Sequence, residues 1–118
     1  MSLLTTILAT IVAIEFGYIL YLETFATTSA KTSQVFQMSP EELSRPSVQT
    51  LFKNQGVYNG LIAVAILVAT YYYVNAIAVA GLMLYIVAVA LYGSFTSNPK
   101  IIFMQGGLPI LTLISMLF

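Results

Sequence analysis

The sequence contains no cysteine, no histidine and no tryptophan, and only four basic and four acidic residues. Without cysteine there are no disulfides and no thiol redox chemistry. With histidine also missing, the usual ligands of haem, iron–sulfur clusters and zinc are gone. A hard-cation site built from carboxylates and carbonyls would have few ligands to draw on, and no cofactor is expected. A net charge of zero leaves no basic footprint for nucleic acid. Charged residues make up 7% of the chain, against about 25% in soluble domains. What remains is 59% hydrophobic, a composition whose natural solvent is lipid.

A span needs ~20 apolar residues, so the 118 residues hold four spans and one substantial loop. The expected fold is all-α: an integral membrane four-helix bundle, a single transmembrane domain over residues 1–118, with a short interfacial helix in the first loop. The first span covers about 3–25 and carries Glu15 near its middle. Thr28-Ser29-Ala30 loosely resembles a signal-peptide cleavage site. However, the segment has no basic start, contains a carboxylate and is too long, so it is read as a span. The loop of about 26–46 contains Ser39-Pro40-Glu41-Glu42. Ser at the N-cap, Pro at the first helical position and Glu three residues on form a capping box. Met38 and Leu43 can add a hydrophobic staple around it. These signals predict a helix over 40–45 near the membrane surface.

Between Asn54 and Pro99 there is no charge, a stretch about twice the hydrocarbon thickness as one helix. It must therefore turn. Tyr71-Tyr72-Tyr73 followed by Asn75 marks the place, since Tyr favours the interface. The second and third spans are expected at about 48–73 and 76–96. After the polar connection Ser97-Asn98-Pro99-Lys100, the fourth covers about 100–118. Lys31, Arg45, Lys53 and Lys100 all fall in or beside the first and third loops. The positive-inside rule makes those loops cytoplasmic and puts both termini outside.

Polar side chains within spans normally face one another, a cavity or a partner. The first helix offers Glu15, Tyr18 and Glu23. On the second, Asn54, Gln55, Tyr58 and Asn59 fall within an arc of about 140°. The third has Tyr85 and Tyr92, which share a face. The fourth has Gln105 in Gln105-Gly106-Gly107-Leu108-Pro109. There Pro109 has no N–H to give the carbonyl of residue 105 and its ring crowds that carbonyl, so the freed carbonyl and the Gln105 side chain need partners. By depth, Glu23, Asn54, Gln55, Asn59, Tyr92 and Gln105 belong to the cytoplasmic half. The expected picture is a ligand pocket opening to the cytoplasm, with Glu15 at its floor, poised to exchange a proton for a cationic ligand. The same amides and phenols could equally serve as packing glue between helices, with Gly60, Gly81 and Gly93 allowing close approach.

Ala13-Ile14-Glu15, Leu22-Glu23-Thr24-Phe25, the run Asn54-Gln55-Gly56-Val57-Tyr58-Asn59-Gly60, Leu91-Tyr92-Gly93, and Gln105-Gly106 with Pro109 together carry a resemblance. Along nearly its whole length the chain resembles a widespread family of small bacterial four-span membrane proteins, catalogued as a domain of unknown function. The resemblance implies a four-helix membrane fold and no particular activity. Members commonly have His directly after the first-span Glu; here the residue is Phe16, which puts a Glu–His mechanism in doubt.

Three functions stay open. The first is binding or transport of a small amphiphilic or cationic molecule, for which a homodimer would be needed to enclose a pathway. The small multidrug transporters offer an analogy, with four short spans and a carboxylate in the first. The second is an accessory subunit that docks a partner helix in the lipid bilayer. The third is an intramembrane, isomerase-like enzyme on a lipid or quinone-like substrate, with Glu15 or Glu23 as general acid/base. No nucleophile, metal site or phosphate cradle marks such an enzyme, so enzymatic activity is left open and no catalytic residue is assigned.

Overall fold

The computed structural model describes residues 1–118, which are helical with no strand. Helix α1 (Leu3–Leu20) starts at Ser2, whose Oγ accepts the Thr5 N–H at 3.1 Å. It then runs on as a π-helical turn, Tyr21–Phe25. Two short helices follow, α2 (Ala30–Phe36) and α3 (Pro40–Leu43). Helix α4 (Pro46–Leu67) ends in a second π-helical turn, Val68–Tyr72, and α5 covers Ala76–Thr96. The chain finishes with α6 (Ile101–Met104) and α7 (Gly107–Ser115).

Three helices are long and apolar enough to cross a membrane: Leu3–Phe25, Pro46–Tyr72 and Ala76–Thr96. The stretch expected as a fourth span is instead helical in two pieces, divided at Gln105 and Gly106. The division has a clear cause. By restarting at Gly107, the helix places Pro109 in its first turn, where an absent N–H costs nothing. Ile110 N–H then bonds the Gly106 carbonyl at 2.9 Å.

The chain divides into two compact units, Ile14–Ala63 and Met1–Ala13 with Val64–Phe118. In the first, α3 begins as its capping residues dictate, with Ser39 Oγ accepting the Glu42 N–H at 3.2 Å and Leu43 fully buried. The loop also holds α2, which the reading of the sequence did not include. Ser29 caps it by accepting the Thr32 N–H at 3.2 Å, and Gln37 ends it in the left-handed region at φ 54°. Phe36 meets Phe52 edge-on, ring centroids 5.2 Å apart, which pins α2 to the start of α4.

In the second unit α5 buries Val79, Met83, Ile86 and Ala90, one face at helical spacing, and packs with α6 and α7. Gly106 is required at the division. A Cβ there would lie 2.6 Å from the Ile102 carbonyl oxygen and 3.4 Å from Ala90 Cβ. Between α4 and α5, Val74 takes φ 47°, a region that disfavours a β-branched residue. Asn75 Oδ1 then accepts the Ala78 N–H at 3.1 Å and starts α5. Thr5 Oγ1 and Ser115 Oγ share a buried hydrogen bond of 2.7 Å.

Candidate binding site

Two glycines let the first and second long helices approach within Ile14–Ala63. Gly56 and Gly60, one turn apart on α4, are both buried. A Cβ on Gly56 would overlap Thr24 Oγ1 and come within 3.1 Å of Glu23 Cβ; one on Gly60 would lie 2.7 Å from Leu20 Cδ2. The first and second long helices therefore touch backbone to side chain along this edge, as small residues permit in membranes. Thr24 Oγ1 donates across the contact to the Lys53 carbonyl at 3.0 Å.

Glu23 sits at that contact, at the centre of the π-helical turn, and is 0% exposed. Asn59, between the two glycines in sequence, donates from Nδ2 to Glu23 Oε1 at 2.6 Å. Glu23 Oε2 is buried without a partner. The surrounding polar groups are satisfied by threonines just beyond the helix. Thr27 Oγ1 donates to the Glu23 carbonyl at 2.7 Å, and Thr32 Oγ1 to the Ala26 carbonyl at 2.6 Å and the Leu22 carbonyl at 3.3 Å. These hydroxyls occupy carbonyls that a helix end otherwise leaves open. One free valence remains, on a carboxyl oxygen.

No side-chain hydrogen bond joins any other residue expected in the pocket to this pair. Glu15 is half-buried, eight residues back on the same helix, or ~12 Å at 1.5 Å per residue. Its neighbour Phe16 is buried. Tyr18 is exposed, as are Asn54, Gln55 and Tyr58, while Asn59 is half-buried. Only Asn59 of the four-residue stripe on α4 thus turns to the first helix. The reason lies in the glycines: Gly56, Gly60 and Ala63 define the covered face, and at ~100° per residue the stripe's other members lie to one side of it. Tyr92 is exposed and Gln105 half-buried, both in the unit that contains α5 to α7.

Thr24, Thr27 and Thr32 were not foreseen. Their signal was present, since a Thr four residues after Glu23 is placed to bond that residue's carbonyl. No group of three or more carboxylates, histidines or cysteines that could hold a metal ion is present.

The class defined here is an all-helical protein, a membrane protein by the length and apolarity of three helices, with a carboxyl–amide pair buried where two of them meet. Residues 10–117 match a family described as proteins of unknown function, DUF1304, and the chain belongs to that family. It is similar to the uncharacterized protein YpaA of Lactococcus lactis subsp. lactis (strain IL1403), with 59% identity over 119 residues and 100% of both chains covered. No solved structure matches it significantly.

Proposed function

We propose that this protein binds a small amphiphilic or cationic molecule at the membrane. The site is a polar pocket approached from the cytoplasmic face, and first-helix carboxyls are its charge-exchange groups. The observation that carries the reading is the Glu23 side chain, fully covered, bonded by Asn59 through one oxygen and unpartnered at the other. Burying a carboxylate so poorly compensated costs several kcal/mol, and a side chain that only held helices together would do so more cheaply as Gln. Glu15 serves in this proposal as the deeper carboxyl, and Asn54, Gln55 and Tyr58 line the approach. In this proposal the loops that carry Lys31, Arg45, Lys53 and Lys100 face the cytoplasm, as the positive-inside rule expects, and the pocket opens to that side. Carriage across the bilayer would require a homodimer.

Native mass spectrometry of gently solubilised wild type beside Glu15→Gln and Glu23→Gln tests this. A small molecule retained by wild type and lost from either variant supports it. Retention of the same molecules by all three overturns it. A second reading draws on the outward position of Asn54, Gln55 and Tyr58: these groups dock a polar partner helix. It predicts a co-purifying protein that Asn54→Leu with Tyr58→Phe releases and Glu23→Gln does not.

A further inference from the structure

We infer that the ligand of the Glu23–Asn59 pair is a protonated amine bearing at least one N–H, rather than a metal ion or a quaternary ammonium. This rests on the binding function proposed above and specifies its ligand. When the carboxyl is ionised, Glu23 Oε2 is an acceptor, so what completes it must donate a hydrogen bond or carry positive charge. Asn59 commits Nδ2 to Glu23 Oε1, which leaves its own Oδ1 as a second acceptor. Asn59 itself is half-buried.

A metal ion needs more than this. Alkali and alkaline-earth cations take about six oxygens, whereas the pair itself offers two open acceptors, Glu23 Oε2 and Asn59 Oδ1. Glu23 belongs to no group of three or more carboxylates that could hold a metal ion. A quaternary ammonium carries the charge but no N–H, and its methyl shell would leave both acceptors unbonded inside a covered site, at the cost of unmade hydrogen bonds. An N–H-bearing ammonium supplies charge and directed donors together, and charge-assisted hydrogen bonds of this kind are the strong ones. An alkyl tail on such an amine would rest in the lipid beside the helices.

The test uses the full chain in lipid nanodiscs. Occupancy is read by native mass spectrometry with octylamine, N-methyloctylamine, N,N-dimethyloctylamine and octyltrimethylammonium at equal concentration, pH 7, and octanol as the uncharged control. Occupancy should fall along the series, with octylamine at least tenfold tighter than octyltrimethylammonium. Glu23→Gln should abolish that order. Because the series is read in wild type, the result does not depend on the variant folding.

Equal or tighter binding of octyltrimethylammonium overturns the amine assignment while leaving a cation-binding pocket in place. An order that persists in a folded Glu23→Gln variant places the amine elsewhere and also overturns it. Binding of octanol as tight as that of octylamine, or saturation of none of the compounds, overturns both this inference and the binding function beneath it.

Discussion

The two π-helical turns invite comparison. Each closes one of the first two long helices, over Tyr21–Phe25 and Val68–Tyr72. Each buries the residue at its centre, Glu23 in one and Thr70 in the other. The buried side-chain atoms without a partner are Glu23 Oε2 and Thr70 Oγ1, so both sit at the same place in the same backbone device. A helical threonine ordinarily returns its hydrogen to the carbonyl four residues earlier, as Thr10, Thr50, Thr96 and Thr112 do here. Thr70 does not. What differs is what faces the central residue. Asn59 reaches Glu23, whereas Thr70 receives nothing. Each π turn thus holds an unpaired buried polar atom at its centre, and only at Glu23 does a partner on the neighbouring helix join it.

Breaking the partnered turn should have the largest effect. Asn59→Ala leaves both Glu23 oxygens unbonded in a covered position, and should cost about 3 kcal/mol, measured by denaturant unfolding in mixed micelles. Gly56→Ala comes next. Its methyl must displace Thr24 from the Lys53 carbonyl, so roughly 1–3 kcal/mol should be lost, with Gly56→Ser no better. Glu23→Gln separates stability from binding: it should hold or gain stability while losing ligand, since a neutral amide costs less to bury. Ending the second helix more comfortably should help by less. Val74→Gly relieves a β-branched residue at φ 47° and should raise stability by about 1 kcal/mol. The smallest change is expected at the unpartnered turn. Thr70→Val removes a hydroxyl that bonds nothing and should be neutral or stabilising by under ~1 kcal/mol. A marked loss from Thr70→Val would erase the contrast between the turns.

Much of the helical layout could be read from the chain because lipid imposes simple demands. Long uncharged runs had to be helices, and Ser39-Pro40-Glu41-Glu42 could hardly start anything else. The division at Gln105 and Gly106 has its cause in Pro109, but the stretch was expected as one span. The covered face of α4 was harder to see. The amides Asn54 and Gln55 drew attention as the interior stripe, yet close approach is governed by what lacks a side chain, so Gly56 and Gly60 set the face and admitted only Asn59. Likewise Glu15, nearer the middle of its span, stood out over Glu23. Depth is legible in a sequence; rotation about the helix axis is not, once a π turn shifts the register between the two carboxyls. That shift also hid the role of Thr27 and Thr32, which matter because the helix ends where it does.

The bond between Thr5 and Ser115 joins residues 110 positions apart. A ribosome adding roughly 5–20 residues per second takes on the order of 5–20 s to travel that distance. Throughout that interval the early helix stands in or at the membrane with its hydroxyl face open, before the helix that will close it has been made. Assembly of this unit is therefore timed by its last turn, and the waiting face of α1 is where a chaperone, a lipid or a second newly made chain has its opportunity to intervene.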